Sequence, residues 1–269
     1  MSGPVAFSRC FLAGVVLALT LFLAGCGASA EKAVEKTTEQ TQPIDPAGTL
    51  SIRNPQGSIR IYGSDDSELK LKATKTAWSN EQLNGITVAI SGQPNALSIE
   101  TNFPPQKKTW RFSDRAGVVD YVVIVPRTIK ILKLEIGNGD VSIEGMRGDL
   151  RANLVNGAFS ERNCFGNAQL SVGNGGLDLL YEKWEAVNFA VDAKIISGNA
   201  RVFFPKQASF HVVAEATNGT VANHLSDVVE RNPRRASKVN MLVGGETRPD
   251  IMIHATSGNI EIGRPELRN

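Results

Sequence analysis

The sequence predicts an all-β fold, an elongated parallel β-solenoid of about 18–22-residue coils with a less regular amino-terminal cap. Three observations predict it. Asn-Gly pairs recur every 18 residues, at Gly139, Gly157 and Gly175. Apolar residues occupy alternate positions before each glycine, and another apolar residue lies two positions after it. Because side chains alternate across a strand, each copy reads as a strand, a turn and a second strand with one buried face.

The repeat extends to seven copies when polar-glycine pairs are aligned with the first three. The added copies have their glycines at Gly57, Gly198, Gly219 and Gly258. Positions three, five and seven before the glycine are apolar in 20 of 21 cases, whereas a chain that is 42% hydrophobic would place about 9 there by chance. Asn54 is the exception. We therefore expect these odd positions, which begin with Leu132, Leu134 and Ile136 in the first Asn-Gly copy, to face inward, and the intervening positions to face solvent.

Two architectures use such a unit. In a β-hairpin, Asn-Gly forms a tight turn between antiparallel strands. In a β-solenoid, each unit is one coil and equivalent residues stack on their neighbours, so Asn138, Asn156, Asn174 and Asn218 would share amide hydrogen bonds. The even 18-residue step favours the solenoid, because stacked coils need equal perimeters. Stacked antiparallel β-hairpins remain the alternative.

The repeat resembles the DUF4097-type "putative adhesin" family, which is related to autotransporter-adhesin head domains. The resemblance is carried by residues 134–143 and their copies, by an opening at residues 50–61, by a lead-in from Tyr121 to Pro126 and by a closing strand pair at residues 255–262. It covers about residues 48 to 264. The resemblance implies a β-helix-like fold and a role in surface adhesion or scaffolding, and it supplies no catalytic motif.

The first 26 residues are expected to be a lipoprotein signal peptide. Arg9 is the only charge before an apolar run at residues 11–24, which is too short for a membrane-spanning helix. Residues 23–26, Leu-Ala-Gly-Cys, match the bacterial lipobox, so Cys26 is the expected lipid (palmitate) attachment site. More than one acyl chain gives stable anchoring. Gly27 follows where an inner-membrane lipoprotein often has Asp, which favours the outer membrane in a host with two membranes.

Residues 27–48 contain few large apolar side chains and two prolines, a composition typical of a flexible tether. Residues 49–265 are expected to form one repetitive adhesin-like domain. Within it, residues 49–130 are less regular, with a helical turn expected at Ser79 to Leu83, and are predicted to cap the amino end. A cap of this kind keeps the terminal strand from exposing a pairing edge.

Charge and spacing exclude several functions. The formal net charge is +2, and loss of Arg9 with the signal leaves +1, so no global field points to nucleic acid. His211, His224 and His254 lack metal-ligand spacing, so no metal or other cofactor is expected. Cys164 is expected to be a buried small hydrophobic residue, since the mature chain offers it no intradomain partner for a disulfide.

Two basic segments interrupt the repeat, and solenoids commonly bind partners at such interruptions. Each is either a solvated loop or a contact surface for a cell-wall glycan, an anionic envelope polymer or a protein. In the first segment Trp110 would serve as a stacking platform. The candidate binding residues are Lys107, Lys108, Trp110, Arg111, Arg231, Arg234 and Arg235.

The sequence therefore predicts a non-enzymatic, lipid-anchored protein of the cell envelope that presents its surface for adhesion, scaffolding or binding. A glycan-active β-helix enzyme, a lyase or a hydrolase, is the alternative, and it would need charged groups gathered in one outward groove. Asp140, Asp178 and Asp192 lie in unlike copies, which disfavours that alternative. Three or more charged groups in one groove, together with turnover of a polysaccharide, would favour it.

Overall fold

Strands make up nearly all of the regular structure in the computed structural model, which describes residues 33–105, 117–225, 235–245 and 248–265. Within these ranges one helix accompanies 18 strands. The amino-terminal elements are β1 (Val34–Pro43), β2 (Thr49–Gln56), β3 (Ile59–Ser64), β4 (Glu68–Ala77), α1 (Asn80–Gly85), β5 (Thr87–Gln93), β6 (Ala96–Asn102) and β7 (Val118–Pro126). The repeats follow as β8 (Lys130–Asn138), β9 (Val141–Glu144), β10 (Leu150–Arg162), β11 (Ala168–Leu180), β12 (Ala190–Phe203), β13 (Phe210–Asn218) and β14 (Val221–Asn223). The last elements are β15 (Arg235–Ala236), β16 (Lys238–Val243), β17 (Asp250–Ser257) and β18 (Ile260–Gly263).

Consecutive copies of the 18-residue repeat pair side by side and in parallel. Leu154 lies opposite Val172, and Asn156 lies opposite both Asn138 and Asn174. Each copy therefore forms one rung, made of a first strand before the turn glycine and a second strand after it. This register places equivalent residues of neighbouring copies on top of one another.

The order of the rungs departs from the order of the chain at both ends. The last copy, β17 and β18, lies between β12 on one side and β13 and β14 on the other, with parallel pairing to both. Likewise, β2 and β3 lie between the rung of β6 and β7 and the rung of β8 and β9. The repeat length predicts that copies stack but carries no information on which copies are neighbours.

The sheet is mixed, so the expected wholly parallel solenoid is not confirmed. At the amino end β1 pairs antiparallel with β4, β4 with β7 and β5 with β6. At the other end β13 pairs antiparallel with β16, and β14 with β15. The parallel rungs thus lie between antiparallel strands. Gly219 and Gly258 are further apart than one 18-residue repeat, and the residues between them include β15 and β16 in addition to a turn.

The interior follows the predicted alternation. Of the 21 positions expected to face inward, 20 are buried, and the residues two after the turn glycine are all buried. None of the intervening positions, four and six before the glycine, is buried. One cluster of buried apolar residues continues from Ile44 to Ile262. Burial of apolar area at about 25 cal/mol per Å² is the main stabilising contribution to such a stack.

Leu132 is the inward position that the prediction got wrong, since its exposed fraction is 50%. A register shift lies in β8: Leu150 pairs with Ile131, yet Ala152 pairs with Leu134. This extra residue acts as a β-bulge and reverses the inward and outward positions of the residues before it in β8. Ile131 therefore takes the inward position and is buried. The sequence pattern alone does not reveal this insertion.

Asn54 occupies its inward position although it is polar. Its side chain is fully buried, and its Nδ2 donates to the backbone oxygens of Gly57, at 3.3 Å, and Val119, at 2.8 Å. These bonds satisfy carbonyl groups at the turn, where the regular ladder is interrupted. The alternation therefore holds even at the one residue that breaks the apolar pattern.

Residues 34–43 of the expected tether form a strand in the structure. β1 runs over Val34–Pro43, within residues 27–48, and pairs with β4 along its whole length. Half-buried residues recur every four positions at Val34, Thr38 and Gln42. A polar sequence with few apolar side chains can form an edge strand, because the backbone ladder and not burial holds it. The expected helical turn is confirmed as α1, capped by Ser79.

Candidate functional site

The asparagines that precede the turn glycines form a ladder along the stack. Asn156 Nδ2 donates to Asn138 Oδ1 at 2.8 Å, and Asn174 Nδ2 donates to Asn156 Oδ1 at 2.9 Å. This confirms the expected sharing of amide hydrogen bonds for these three residues. For Asn218 the expectation is wrong, because Asn218 lies opposite Ser257 in the parallel register and not opposite another asparagine. The amides are thus engaged with one another, which makes the row a structural element.

A second ladder runs one residue after the turn glycine, where a side chain of one rung accepts the backbone N–H of the next. Asp140 Oδ1 accepts from Ala158 N at 2.9 Å, Asn199 Oδ1 from Asn259 N at 3.0 Å and Asn259 Oδ1 from Thr220 N at 3.0 Å. The same arrangement links Asp120 to Ser58 and Ser58 to Asp140. The row of polar side chains therefore extends along most of the stack.

Ala158 and Gly176 interrupt this second ladder because neither has a side-chain acceptor. At these two rungs the backbone pairing continues through the turn, from Asn156 opposite Asn174 to Phe159 opposite Leu177. Where a polar acceptor bonds to the next rung, as Asp140 and Asn199 do, the pairing to that rung skips the residues at the turn. The pairing of β11 with β10 and with β12 has no such gap. The sequence thus explains why β10, β11 and β12 are single long strands.

The interruption leaves a groove of about 610 Å³ on the outward face of the second strands. Gly175, Gly176 and Ala158 form part of its floor, and Ala222 lines it further along the stack. A Cβ added at Gly176 would meet no heavy atom nearer than Ala158 Cβ at 4.0 Å, which shows how open the floor is. The volume lies in the range of small-ligand sites, about 300–1,000 Å³. We refer to this site below as the groove.

One side of the groove is a row of charged residues three positions after the turn glycines. Arg201 Nε donates to Asp178 Oδ1 at 2.7 Å, and Arg201 Nη2 donates to Asp178 Oδ2 at 2.5 Å. Arg201 lies opposite Glu261 in the parallel register, and His224 Nε2 lies 3.7 Å from Glu261 Oε1. The bond to Asp178, reinforced by the charges of Asp178 and Glu261, raises the pKa of Arg201. The Arg201 guanidinium therefore lies between the carboxylates of Asp178 and Glu261.

A buried polar cluster lies inside the stack at the same rungs. Glu161 occupies an inward position between Ile143 and Leu179, and burial raises its pKa to about 8. Burial also raises the pKa of Tyr181, with smaller contributions from Glu161 and Cys164. Within the described residues, neither Glu161 Oε1 nor the Tyr181 hydroxyl has a hydrogen-bond partner. With a pKa of about 8, the Glu161 carboxyl is mainly neutral at pH 7. Its burial lowers the stability of the fold, and no substrate reaches it from the surface.

Cys164 is buried, as expected. Its Sγ lies 3.5 Å from Arg162 O and 3.7 Å from Ile143 O, and burial raises its pKa. A thiol that is both protonated and enclosed is unreactive. Within the part of the chain that is described, no group of three His, Cys, Asp or Glu side chains is placed to hold a metal ion. No helix there has the length and apolar character of a membrane span.

Most of the predicted binding residues lie outside the described residues. These are Lys107, Lys108, Trp110, Arg111, Arg231 and Arg234, and the lipid-attachment residue Cys26 belongs with them. The backbone of Arg235 lies in β15, opposite Ala222 of β14. These candidates stay predictions. None of the described groove residues was among them, although four of the side chains that line it are charged or titratable: Asp178, Arg201, His224 and Glu261.

Comparisons with known proteins support the architecture at the level of the fold. Neither the comparison with protein-family models nor that with curated proteins returns a match. A solved structure of a "putative cell adhesion protein" from Clostridium sporogenes is similar with a TM-score of 0.50 and 17% identity, over 86% of this chain and all of that one. At this identity the similarity shows a shared fold.

Two further solved structures are more distant. A "putative adhesin" from Bacteroides fragilis gives a TM-score of 0.30 at 12% identity, over 84% of this chain and 97% of that one. A "putative lipid binding protein" from Parabacteroides distasonis gives 0.31 at 12% identity, over 86% and 97%.

A sequence signal for the groove existed at the position after the turn glycine. That position is polar in Ser58, Asp140, Asn199, Thr220 and Asn259, and small in the two neighbouring copies with Ala158 and Gly176. Two adjacent small residues in an otherwise polar row predict a gap in the surface. The part of the groove formed by Glu261 could not be anticipated, because it depends on the insertion of β18 beside β12.

Proposed function

We propose that this chain is a non-enzymatic envelope lipoprotein whose β-solenoid surface serves adhesion or scaffolding by binding a cell-envelope polymer or protein. The same proposal places it with the DUF4097-type adhesin-like family, anchored through lipid on Cys26, in the outer membrane if the host has two membranes. The observation that carries it is the division of the stack into a mainly apolar interior and outward polar rows. All chemistry offered to a partner is therefore on the repeated outer surface.

The rigidity of that surface supports a binding role. Successive rungs are locked by backbone pairing and by the two side-chain ladders, so outward side chains keep fixed spacings along the stack. A preorganised surface loses little conformational entropy when a partner binds. The description of the similar Clostridium sporogenes protein as a "putative cell adhesion protein" is consistent with this role.

An envelope-binding experiment tests the proposal. Purified full-length chain is mixed with envelope fragments from its host, with and without protease treatment of the fragments, and bound protein is measured after sedimentation. Saturable binding is expected; its survival after protease treatment identifies a polymer, and its loss identifies a protein. A chain that binds neither preparation above the level of an unrelated lipoprotein would overturn the proposal.

The second candidate is a glycan-active enzyme, and the groove is the observation that favours it. Asp178, Arg201 and Glu261 gather three charged groups in one place. Against catalysis, Arg201 engages both carboxylate oxygens of Asp178, so that carboxylate is committed to an ion pair. The groove is also open to water on the outer face of the sheet. Release of reducing ends from a polysaccharide panel, abolished by Glu261→Gln, would make the enzyme the better account.

A further inference from the structure

The groove floor allows a ligand to lie directly on backbone. Gly175 and Gly176 of β11 and Ala158 of β10 present no side chain longer than a methyl group. Flat, side-chain-free backbone beside polar walls suits a ring-shaped ligand that makes contact through one face. Small residues at a binding surface commonly mark such a close approach.

The walls of the groove supply donors on one side and acceptors on the other. Asn199 and Asn259 use their Oδ1 atoms in the ladder, and their Nδ2 groups bond to no other described residue. Asp178 and Glu261 present carboxylate oxygens two residues further along their strands. Residues two apart on a strand are separated by about 7 Å. A ligand between the rows can donate to carboxylates and accept from amides.

Hydroxyl groups fit this arrangement because each both donates and accepts. Equivalent positions on neighbouring rungs lie about 4.8 Å apart. A chain of sugar rings that runs across the strands would place a new set of hydroxyls against each successive rung. The ion pair between Arg201 and Asp178 holds those side chains in place, which reduces the entropy lost on binding.

The charge of the groove selects against polyanions. Asp178 and Glu261 flank Arg201, so this row of three charged side chains carries a formal net charge of −1. Each phosphate or carboxylate of an anionic polymer would meet a carboxylate on either side of the guanidinium. An uncharged ligand meets no such repulsion.

We propose that the groove binds an uncharged oligosaccharide, laid across the strands from β10 toward β14. This rests on the proposed binding function and names the class of polymer that it recognises. The sugar faces contact Ala158 and Gly176, while the hydroxyls bond to the amides of Asn199 and Asn259 and to the carboxylates of Asp178 and Glu261. Binding by one groove is weak, and repetition along a polymer raises the overall avidity.

Calorimetric titration of the purified full chain with three hexasaccharides tests the groove. The probes are chitohexaose and cellohexaose, which are uncharged, and hexagalacturonate, which is anionic. At least one uncharged probe is expected to bind at least tenfold more tightly than hexagalacturonate. Absence of binding by both uncharged probes, or tighter binding of the anionic probe, would overturn the assignment.

Gly176→Asn is the informative variant because the nearest heavy atom to a new Cβ is 4.0 Å away. The asparagine fits the fold, continues the polar row and fills the floor. It is expected to weaken binding at least tenfold with an unchanged melting temperature. The matched control is Ser171→Asn, on the exposed outer face of the first-strand half of β11, which should bind as the parent does. Equal affinity of the Gly176→Asn variant and the parent would overturn the groove as the site.

Arg201→Gln provides a second variant at an exposed side chain. It removes the charged donor and frees Asp178, and it is expected to lower affinity for the same probe. A parent chain that binds envelope fragments but no uncharged hexasaccharide would refute the groove ligand and leave the envelope function standing. A parent chain that binds the hexasaccharide but not the fragments would refute the envelope function alone.

Discussion

Asn156 Nδ2 donates to Asn138 Oδ1 at 2.8 Å across 18 residues of sequence. Asn156 Oδ1 in turn accepts from Asn174 Nδ2 at 2.9 Å. One side chain therefore links three rungs, at the position where the chain turns from the first strand to the second. The repeat length of the sequence is visible here as a hydrogen-bond ladder.

Asn156→Ala should lower the free energy of unfolding by about 1–2 kcal/mol, because it removes two such bonds. The control is Asn153→Ala, an exposed residue of the same strand, which should change stability by less than about 0.5 kcal/mol. Urea denaturation followed by circular dichroism measures both. Equal effects of the two substitutions would mean that the ladder contributes nothing.

Gly175→Ala should destabilise the fold strongly. Gly175 has φ of +143°, and an added Cβ would lie 1.8 Å from the carbonyl oxygen of Gly157 on the neighbouring rung. Residues with a Cβ rarely adopt this conformation. The adjacent Gly176→Ala is the control, with no atom nearer than 4.0 Å. We expect a fall of more than about 3 kcal/mol for the first and almost none for the second in thermal denaturation. Similar melting temperatures would refute the stacked turn.

Val141→Asp should unfold the domain, because Val141 is buried in the row that follows the turn glycines. An unpaired carboxylate there costs several kcal/mol. Ser142→Asp places the same group one residue later, on the exposed face, and should leave the melting temperature nearly unchanged. If both variants unfold, or neither does, the assignment of facing by parity is wrong.

Glu161 should make the stability of the fold depend on pH. Burial raises its folded pKa from 4.5 to about 8, so between these values the folded chain holds a proton that the unfolded chain has released. The contribution of Glu161 to stability is therefore full below about pH 4.5 and falls by about 1.4 kcal/mol per pH unit as the pH rises toward 8.

Glu161→Leu removes the buried acid and matches its neighbours Ile143 and Leu179. The variant should be more stable than the parent at pH 7.5 and should lose this pH dependence. Denaturation with urea at pH 5 and pH 8 measures the difference. Glu182→Leu, at an exposed position, is the control and should keep the parent's dependence. An unchanged pH dependence in the Glu161→Leu variant would show that another group is responsible.

Cys26→Ser tests the lipid anchor. The parent is expected to sediment with membranes, because a diacylated or triacylated cysteine gives stable attachment. The variant should remain in the soluble fraction after export, and Cys164→Ser, which alters a thiol buried in the fold, should still sediment. Membrane retention of the Cys26→Ser variant in high salt would contradict lipidation at this residue.

The alternation of side chains was predictable because it depends only on local parity around each glycine. Asn54 shows how robust this parity is, since it points inward without being apolar. Leu132 shows where it fails, because one extra residue in β8 is invisible to a count from the glycine. The order of rungs was not predictable, since any copy presents the same backbone edge to any other. The groove depends on both kinds of information. The gap at Gly176 is a local feature of the sequence, whereas the position of Glu261 depends on the order of the rungs.

The last copy, β17 and β18, is wedged between β12 and the earlier β13 and β14. When a ribosome makes this chain, β13 emerges long before its future neighbour exists. Until residues 251–262 have been made, β13 lacks the strand that becomes its parallel neighbour. Completion of the carboxyl-terminal half therefore requires β17 and β18, and deletion of residues 250–263 would leave a gap between β12 and β13 instead of a shorter stack.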